Sequence, residues 1–317
     1  MPARKAHHMT TALITHQDCL DHLTPEGHPE CPARLAAVLA ALEGKALMRC
    51  DAPLATDAQL EAVHSRAYLA ALAARIPQSG LAPVDGDTWL SPGSLRGARR
   101  GAGGAILGVD MVLGGTVRNA FVATRPPGHH AEEETAMGFC LIGNVAVAAQ
   151  HALDHHGLDR VAIIDFDVHH GNGTQAMTEG NVRISYLSAH QMPLFPGTGH
   201  PSETGAAGNV VNVALAEGAG SAAFRAAMTD VILPAAEAFA PDLVLVSAGF
   251  DGHRHDPLAG LMLETGDYTW ITEALCDLAD TRCGGRLVSC LEGGYDLDAL
   301  AASAAAHVDV LIARGAA

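Results

Sequence analysis

Residues 161–173 read VAIIDFDVHHGNG. The first four are apolar and partly β-branched, and Phe166 follows Asp165, so 161–166 has the pattern of a short strand buried on both faces. Polar groups crowd its end: Asp165, Asp167, His169, His170 and Asn172. If the backbone stays extended there, Asp165, Asp167 and His169 point to one side. Two carboxylates and an imidazole gathered on one face repel and desolvate badly unless a cation neutralises them. A lone D-x-H is more often a capping Asp and a hydrogen-bonded His. The full cluster points instead to a bound metal.

Working outward, similar apolar runs occur at 12–15, 120–124, 182–187, 210–215, 243–247 and 287–291. Helical patterns lie between them. Pro32 opens one at 33–42, and Asp57 caps a stretch running through 74. Ser91-Pro92 starts a long helix ending near Gly114-Gly115. Others cover 144–156, 222–239 with a kink at Pro234, 268–279, and the stretch from Leu297 onward. Apolar strands alternating with helices imply an α/β fold with a parallel sheet covered on both faces. No repeat or linker interrupts the pattern, so residues 10–317 read as one domain, preceded by a short leader at 1–9.

Composition narrows the function classes. The formal net charge is −16. Such a chain repels phosphate backbones, which argues against a direct nucleic-acid ligand and favours cationic partners. No run of about 18 apolar residues suggests a membrane span. Seven Cys without a CxxC pair read as reduced thiols of a cytoplasmic protein, and they make a Cys-based metal site improbable. Abundant Ala and Gly with few aromatics suggest close helix–sheet packing.

The polar clusters share one location. Residues 125–130 (RPPGHH), 165–172, 249–256 and 292–295 (EGGY) each follow an apolar strand. The carboxyl edge of a parallel sheet is where such folds place ligands. Asp251 and Asp256 both offer a further metal ligand, and Asp256 precedes Pro257, which keeps it out of a helix. Carboxylates, one imidazole and an open position suit catalytic zinc. His129 and His130 sit on a Pro-braced loop and suit proton transfer near neutral pH. His7-His8 and His155-His156 read as plain hydrogen-bonding pairs. Tyr295 reaches the same edge, where its phenol suits an oxyanion.

With these motifs assembled, the chain resembles the histone deacetylase family, in its class II-like bacterial branch of deacetylase-like and acetylpolyamine amidohydrolase-like proteins. The likeness runs from about residue 13 to 307. It rests on HPECPARL at 28–35, RPPGHH at 125–130, GFC at 138–140 with Asn144, DFDVHHGNGTQ at 165–175, FPGTG at 195–199, SAGFDGHRHDPLAG at 247–260 and EGGY at 292–295. The resemblance implies a three-layer α/β/α arginase–deacetylase fold with a mainly parallel sheet of about eight strands. It implies zinc held by Asp167, His169 and Asp256, with Fe²⁺ as the alternative metal. It makes His129 and His130 the tandem catalytic histidines, His130 the general base and acid, and Asp165 the acid orienting His129. Asn172 stands where class I members carry Asp, so His130 is held less strongly as a cation. Tyr295 matches the transition-state tyrosine. Phe139 beside Gly138, and Phe195, match the walls of an acyl-lysine tunnel. Asp165, Asp167, His169 and Ser188 resemble a structural potassium site built largely from backbone oxygens.

The implied substrate is an acylated lysine in a peptide or protein, or a small acylated amine. Cys31 stands where many relatives have Arg, with little effect expected. Leu258 stands where polyamine-selective relatives place Glu and leans toward acyl-lysine, although a homo-oligomer with an acidic rim would also admit polyamines. Two rivals share some features: a di-manganese ureohydrolase, which needs further Asp/His ligands, and a non-catalytic sensor of acylated ligands.

Overall fold

The computed structural model describes residues 10–316, so the leader expected at 1–9 lies outside the described residues. β1 (Thr11–Thr15) and β2 (Met48–Asp51) flank α1 (Pro32–Ala41). α2 (Asp57–Leu60) and α3 (Arg66–Arg75) follow, then a small ribbon, β3 (Ala82–Pro83) and β4 (Trp89–Leu90), and α4 (Ser94–Leu113). Strands and helices then alternate. They are β5 (Asn119–Val122), α5 (Asn144–Asp154), β6 (Val161–Asp165), α6 (Asn172–Thr178), β7 (Ile184–Gln191), β8 (Val210–Leu215), α7 (Ser221–Ala227), α8 (Leu233–Phe239), β9 (Leu243–Ala248), α9 (Thr265–Cys283), β10 (Leu287–Leu291) and α10 (Leu297–Gly315).

The main sheet has eight strands in the order β2-β1-β5-β10-β9-β6-β7-β8. Every pairing in it is parallel. Alternate residues feed opposite cores, as the strand period requires. Leu13, Phe121, Ile164, Leu187 and Val246 pack with α1, α9 and α10. Ile14, Val122, Ile163, Tyr186 and Leu245 pack with α4 and α5. The result is three layers, as expected. No helix among the described residues is long and apolar enough to cross a membrane. All seven Cys are free thiols.

Several boundaries differ from the sequence reading. The helix expected from Asp57 to residue 74 is two helices, because Ser65 accepts a second N-cap bond from Tyr68 N–H. The long helix starts at Ser94, not at Ser91-Pro92. Ser94 Oγ instead accepts the Ser91 N–H at 2.7 Å, holding the preceding turn. β2 lies outside the apolar runs of the sequence because Met48-Arg49-Cys50-Asp51 is a mostly exposed edge strand. The strand expected at 182–187 is β7, shifted onward through buried Ser188, His190 and Gln191. The kink expected at Pro234 appears as a π-helical turn, Met228–Ile232, just before the proline.

Candidate active site

β5, β10, β9 and β6 are neighbours at the sheet centre. Their carboxyl ends launch the RPPGHH, EGGY, 249–256 and 165–172 segments, so motifs far apart in sequence meet on one edge. The expected extension of β6 beyond Asp165 does not occur. Asp165 Oδ1 accepts Asp167 N–H at 3.1 Å, and Asp167 Oδ1 accepts His169 N–H at 2.9 Å. Each carboxylate thus turns the chain two residues on, as Asp side chains readily do.

Asp167, His169 and Asp251 form a tight group of metal-ligating side chains on this edge, their ligand atoms within 4.8 Å of one another. His169 Nδ1 lies 3.2 Å from Asp167 Oδ1 and 3.1 Å from Asp251 Oδ2. Asp256 stands beside this group rather than in it. Its Oδ1 accepts Leu258 N–H at 2.9 Å and its Oδ2 accepts Tyr295 N–H at 2.7 Å. Burial, then the nearby Asp251 carboxylate, pushes Asp256 up to about 7. Burial alone would lower His169, but Asp167 and Asp251 raise it to about 10. The pocket therefore favours positive charge, and its oxygen and imidazole donors fit a divalent ion such as zinc.

His129 and His130 are buried with ring centroids 4.0 Å apart. His129 Nδ1 meets Asp165 Oδ2 at 3.1 Å, and the Tyr186 hydroxyl donates to the same oxygen at 3.0 Å. Burial opposes charge on His129, but Asp167 and Asp165 raise it to about 10. His130 Nδ1 lies 2.8 Å from Asn172 Oδ1. The Asn172 amide nitrogen donates to Glu132 at 2.8 Å, which turns its oxygen toward His130. His130 Nδ1 is therefore the donor, and Nε2 keeps its lone pair. Burial, followed by the charges of His129 and His169, lowers His130 well below the usual range.

A cavity of about 390 Å³ opens above these groups, and His130, His169, Phe139, Phe195, Leu258 and Tyr295 are among its lining residues. The Phe195 ring meets His130 edge-on at 5.1 Å, and Phe139 meets Tyr295 at 5.7 Å. Gly138 has φ +54°, and a Cβ there would lie 2.5 Å from the His130 ring, so only glycine fits. Phe139 itself holds a positive φ of 68°, a strained backbone that presents its ring to the cavity. Ser188 pairs with Asp165 across β6 and β7, and its Oγ lies 2.8 Å from His190 Nδ1.

Four charged residues tie the motifs together, and the sequence reading gave them no role. Arg125 donates to both carboxylate oxygens of Glu30 at 2.7 Å, and both side chains are fully buried. Arg34 donates to the carbonyls of Gly294 and Glu292 at 2.5 and 2.6 Å, with its guanidinium 4.7 Å from the Tyr295 ring centre. Glu292 Oε2 accepts the backbone N–H of Gly128 and His129 at 2.7 and 3.2 Å. One signal was present in the sequence: these charges sit inside the motif blocks at 28–35, 125–130 and 292–295, and buried charges need partners.

Comparison with known proteins agrees with this architecture. Residues 28–311 match the histone deacetylase domain. The chain is 43% identical over 300 residues to an uncharacterized protein of Synechocystis sp., covering 92% of this chain and 96% of that one. It is 40% identical over 278 residues to the histone deacetylase-like amidohydrolase of Pseudomonas aeruginosa, covering 85% and 73%. The crystal structure of the HDA15 HD domain superposes with a TM-score of 0.91 at 37% identity, covering 96% of this chain and 89% of that one. The eight-stranded parallel sheet is accordingly that of the arginase–deacetylase fold. The chain belongs to the histone deacetylase family, a family of deacetylating hydrolases.

Proposed function

We propose that the protein is a zinc-dependent deacylase that hydrolyses the amide of an acyl-lysine side chain or a small acylated amine. The observation that carries this reading is that His130, His169 and Tyr295 line one cavity walled by Phe139 and Phe195. Asp167, His169 and Asp256 would hold the zinc. Asp251 is almost fully buried, takes the Val168 N–H and faces His169, which suits an orienting role, whereas Asp256 is 8% exposed. When bound, zinc supplies a Lewis acid for the amide carbonyl and the attacking water. A potassium ion beside Asp165, Asp167, His169 and Ser188 belongs to the same reading.

The residues then divide the work. His130 Nε2 takes the proton of the attacking water and returns it to the leaving amine. His129, held by Asp165, supports the charge distribution beside it. Asn172 fixes the His130 tautomer. The Tyr295 phenol donates to the carbonyl oxygen as negative charge builds there. Phe139 and Phe195 sandwich the aliphatic stem, with Gly138 allowing the wall to stand close.

Leu258 on the cavity wall favours acyl-lysine. An N-acetylpolyamine is the second reading, supported by the Asp87 carboxylate among the lining residues. Turnover by zinc-loaded protein of acetyl-, propionyl-, lactyl- and trifluoroacetyl-lysine peptides, against N-acetylputrescine and N-acetylspermidine, tests both. Peptide turnover abolished by His130→Ala is expected. Preference for the polyamines would overturn the Leu258 argument, and no turnover on any substrate would overturn the enzyme reading.

A further inference from the structure

A second group of metal-ligating side chains lies away from the cavity. His151 is on the last turn of α5, and His155 caps that helix with backbone angles still close to helical, φ −90° and ψ −40°. Residues four apart on a helix share one face, the spacing by which two imidazoles grip a single ion. His156 completes the set, and ligand atoms of the three rings lie within 4.8 Å of one another. The ring centroids are 4.9, 5.5 and 5.1 Å apart. Asp110 on α4 adds a carboxylate: His151 Nε2 and His156 Nε2 each lie 2.7 Å from its Oδ1.

A hydrogen-bonded staple between α4 and α5 accounts for His151, His156 and Asp110. It does not account for His155, which takes no part in those bonds and stacks on His151 at an interplanar angle of 14°. We propose that Asp110, His151, His155 and His156 form a second binding site, for a divalent transition ion of the Zn²⁺ type. Imidazole with one carboxylate suits zinc, copper and nickel rather than calcium or magnesium. Ligand bonds of about 2.0–2.2 Å in a tetrahedron set neighbouring donor atoms about 3.3–3.6 Å apart. The 2.7 Å contacts need only widen slightly, and His155 need only swing in. Both adjustments fall on side chains at a helix end.

The site is remote from the candidate active site. α5 begins at Asn144, directly after the cavity loop, and its 11 residues carry the chain about 16 Å to the other edge of the sheet. An ion there would clip α5 to α4 without touching the cavity, and it would raise thermal stability by mass action.

The test starts from protein carrying one equivalent of zinc and titrates further Zn²⁺ calorimetrically, with thermal melts alongside. Wild type should take up a second equivalent and melt at a higher temperature with it. His155→Ala/His156→Ala should lose that equivalent, or bind it at least about tenfold more weakly, with the first equivalent and deacylase turnover unchanged. His155→Ala alone keeps the Asp110 bonds and should weaken the second equivalent as well. His7 and His8 are present in every protein, so only the cluster differs. Equal stoichiometry and affinity in wild type and both variants would overturn the site. Absence of deacylation would not, because the second equivalent is read by binding and melting.

Discussion

At the residue scale, chemistry depends on which atom each side chain leaves free. His130 spends Nδ1 on Asn172, and Asn172 spends its amide nitrogen on Glu132, so Nε2 stays available. Tyr295 is held from two sides, by the Asp256 carboxylate at its backbone N–H and by Arg34 over its ring. Tyr295→Phe keeps both supports and loses only the hydroxyl. It should lower kcat by about a hundredfold or more, the loss typical of one oxyanion donor. Unchanged kcat would remove the phenol from the mechanism. The two acids after β9 separate in the same way. Asp256→Ala should abolish zinc binding, while Asp251→Asn should weaken it by about 10–100-fold, as for loss of a supporting residue. Metal content after dialysis distinguishes them, and the reverse order would exchange their roles.

At the element scale, burial decided what the sequence could reveal. β6, β9 and β10 are buried at every residue and stand out as apolar runs. β2 is exposed, and its pairing with β1 was invisible locally. α6 begins among site residues whose polar character reads as loop. The Gly-rich α4 shows why small residues were needed. A Cβ on Gly103 would lie 2.0 Å from the Pro53 carbonyl oxygen. Gly103→Ala should therefore destabilise the fold by about 1–3 kcal/mol, the range for overpacking, despite the better helix propensity of Ala. Urea unfolding would measure it. A gain in stability would mean that the segment before α2 yields.

At the scale of the whole molecule, buried histidines make stability depend on pH. His307 is buried between Thr272 and Ser289, and burial lowers it to about 3. An unfolded His titrates near 6.5, so between pH 6.5 and about 3 the unfolded chain binds the extra proton. Stability should be fully present above pH 6.5 and fall with acidification, by about 1.4 kcal/mol per pH unit for this one group. His307→Asn should flatten the slope of unfolding free energy against pH. An unchanged slope would assign the acid sensitivity elsewhere.

The sequence by itself determined the alternation of strands and helices, because strands buried on both faces must be apolar throughout. It also determined where chemistry gathers, since each motif sits where an apolar strand ends. Tertiary structure decided the strand order β5-β10-β9-β6, which makes those ends neighbours. It decided that Asp251 rather than Asp256 packs tightest on His169, and that Glu30, Arg34, Arg125 and Glu292 brace the site. These are contacts between residues up to 260 positions apart, since Arg34 binds Glu292 O across 258 residues and Gly294 O across 260. Local sequence carries the need for a partner, but only the folded chain supplies its identity.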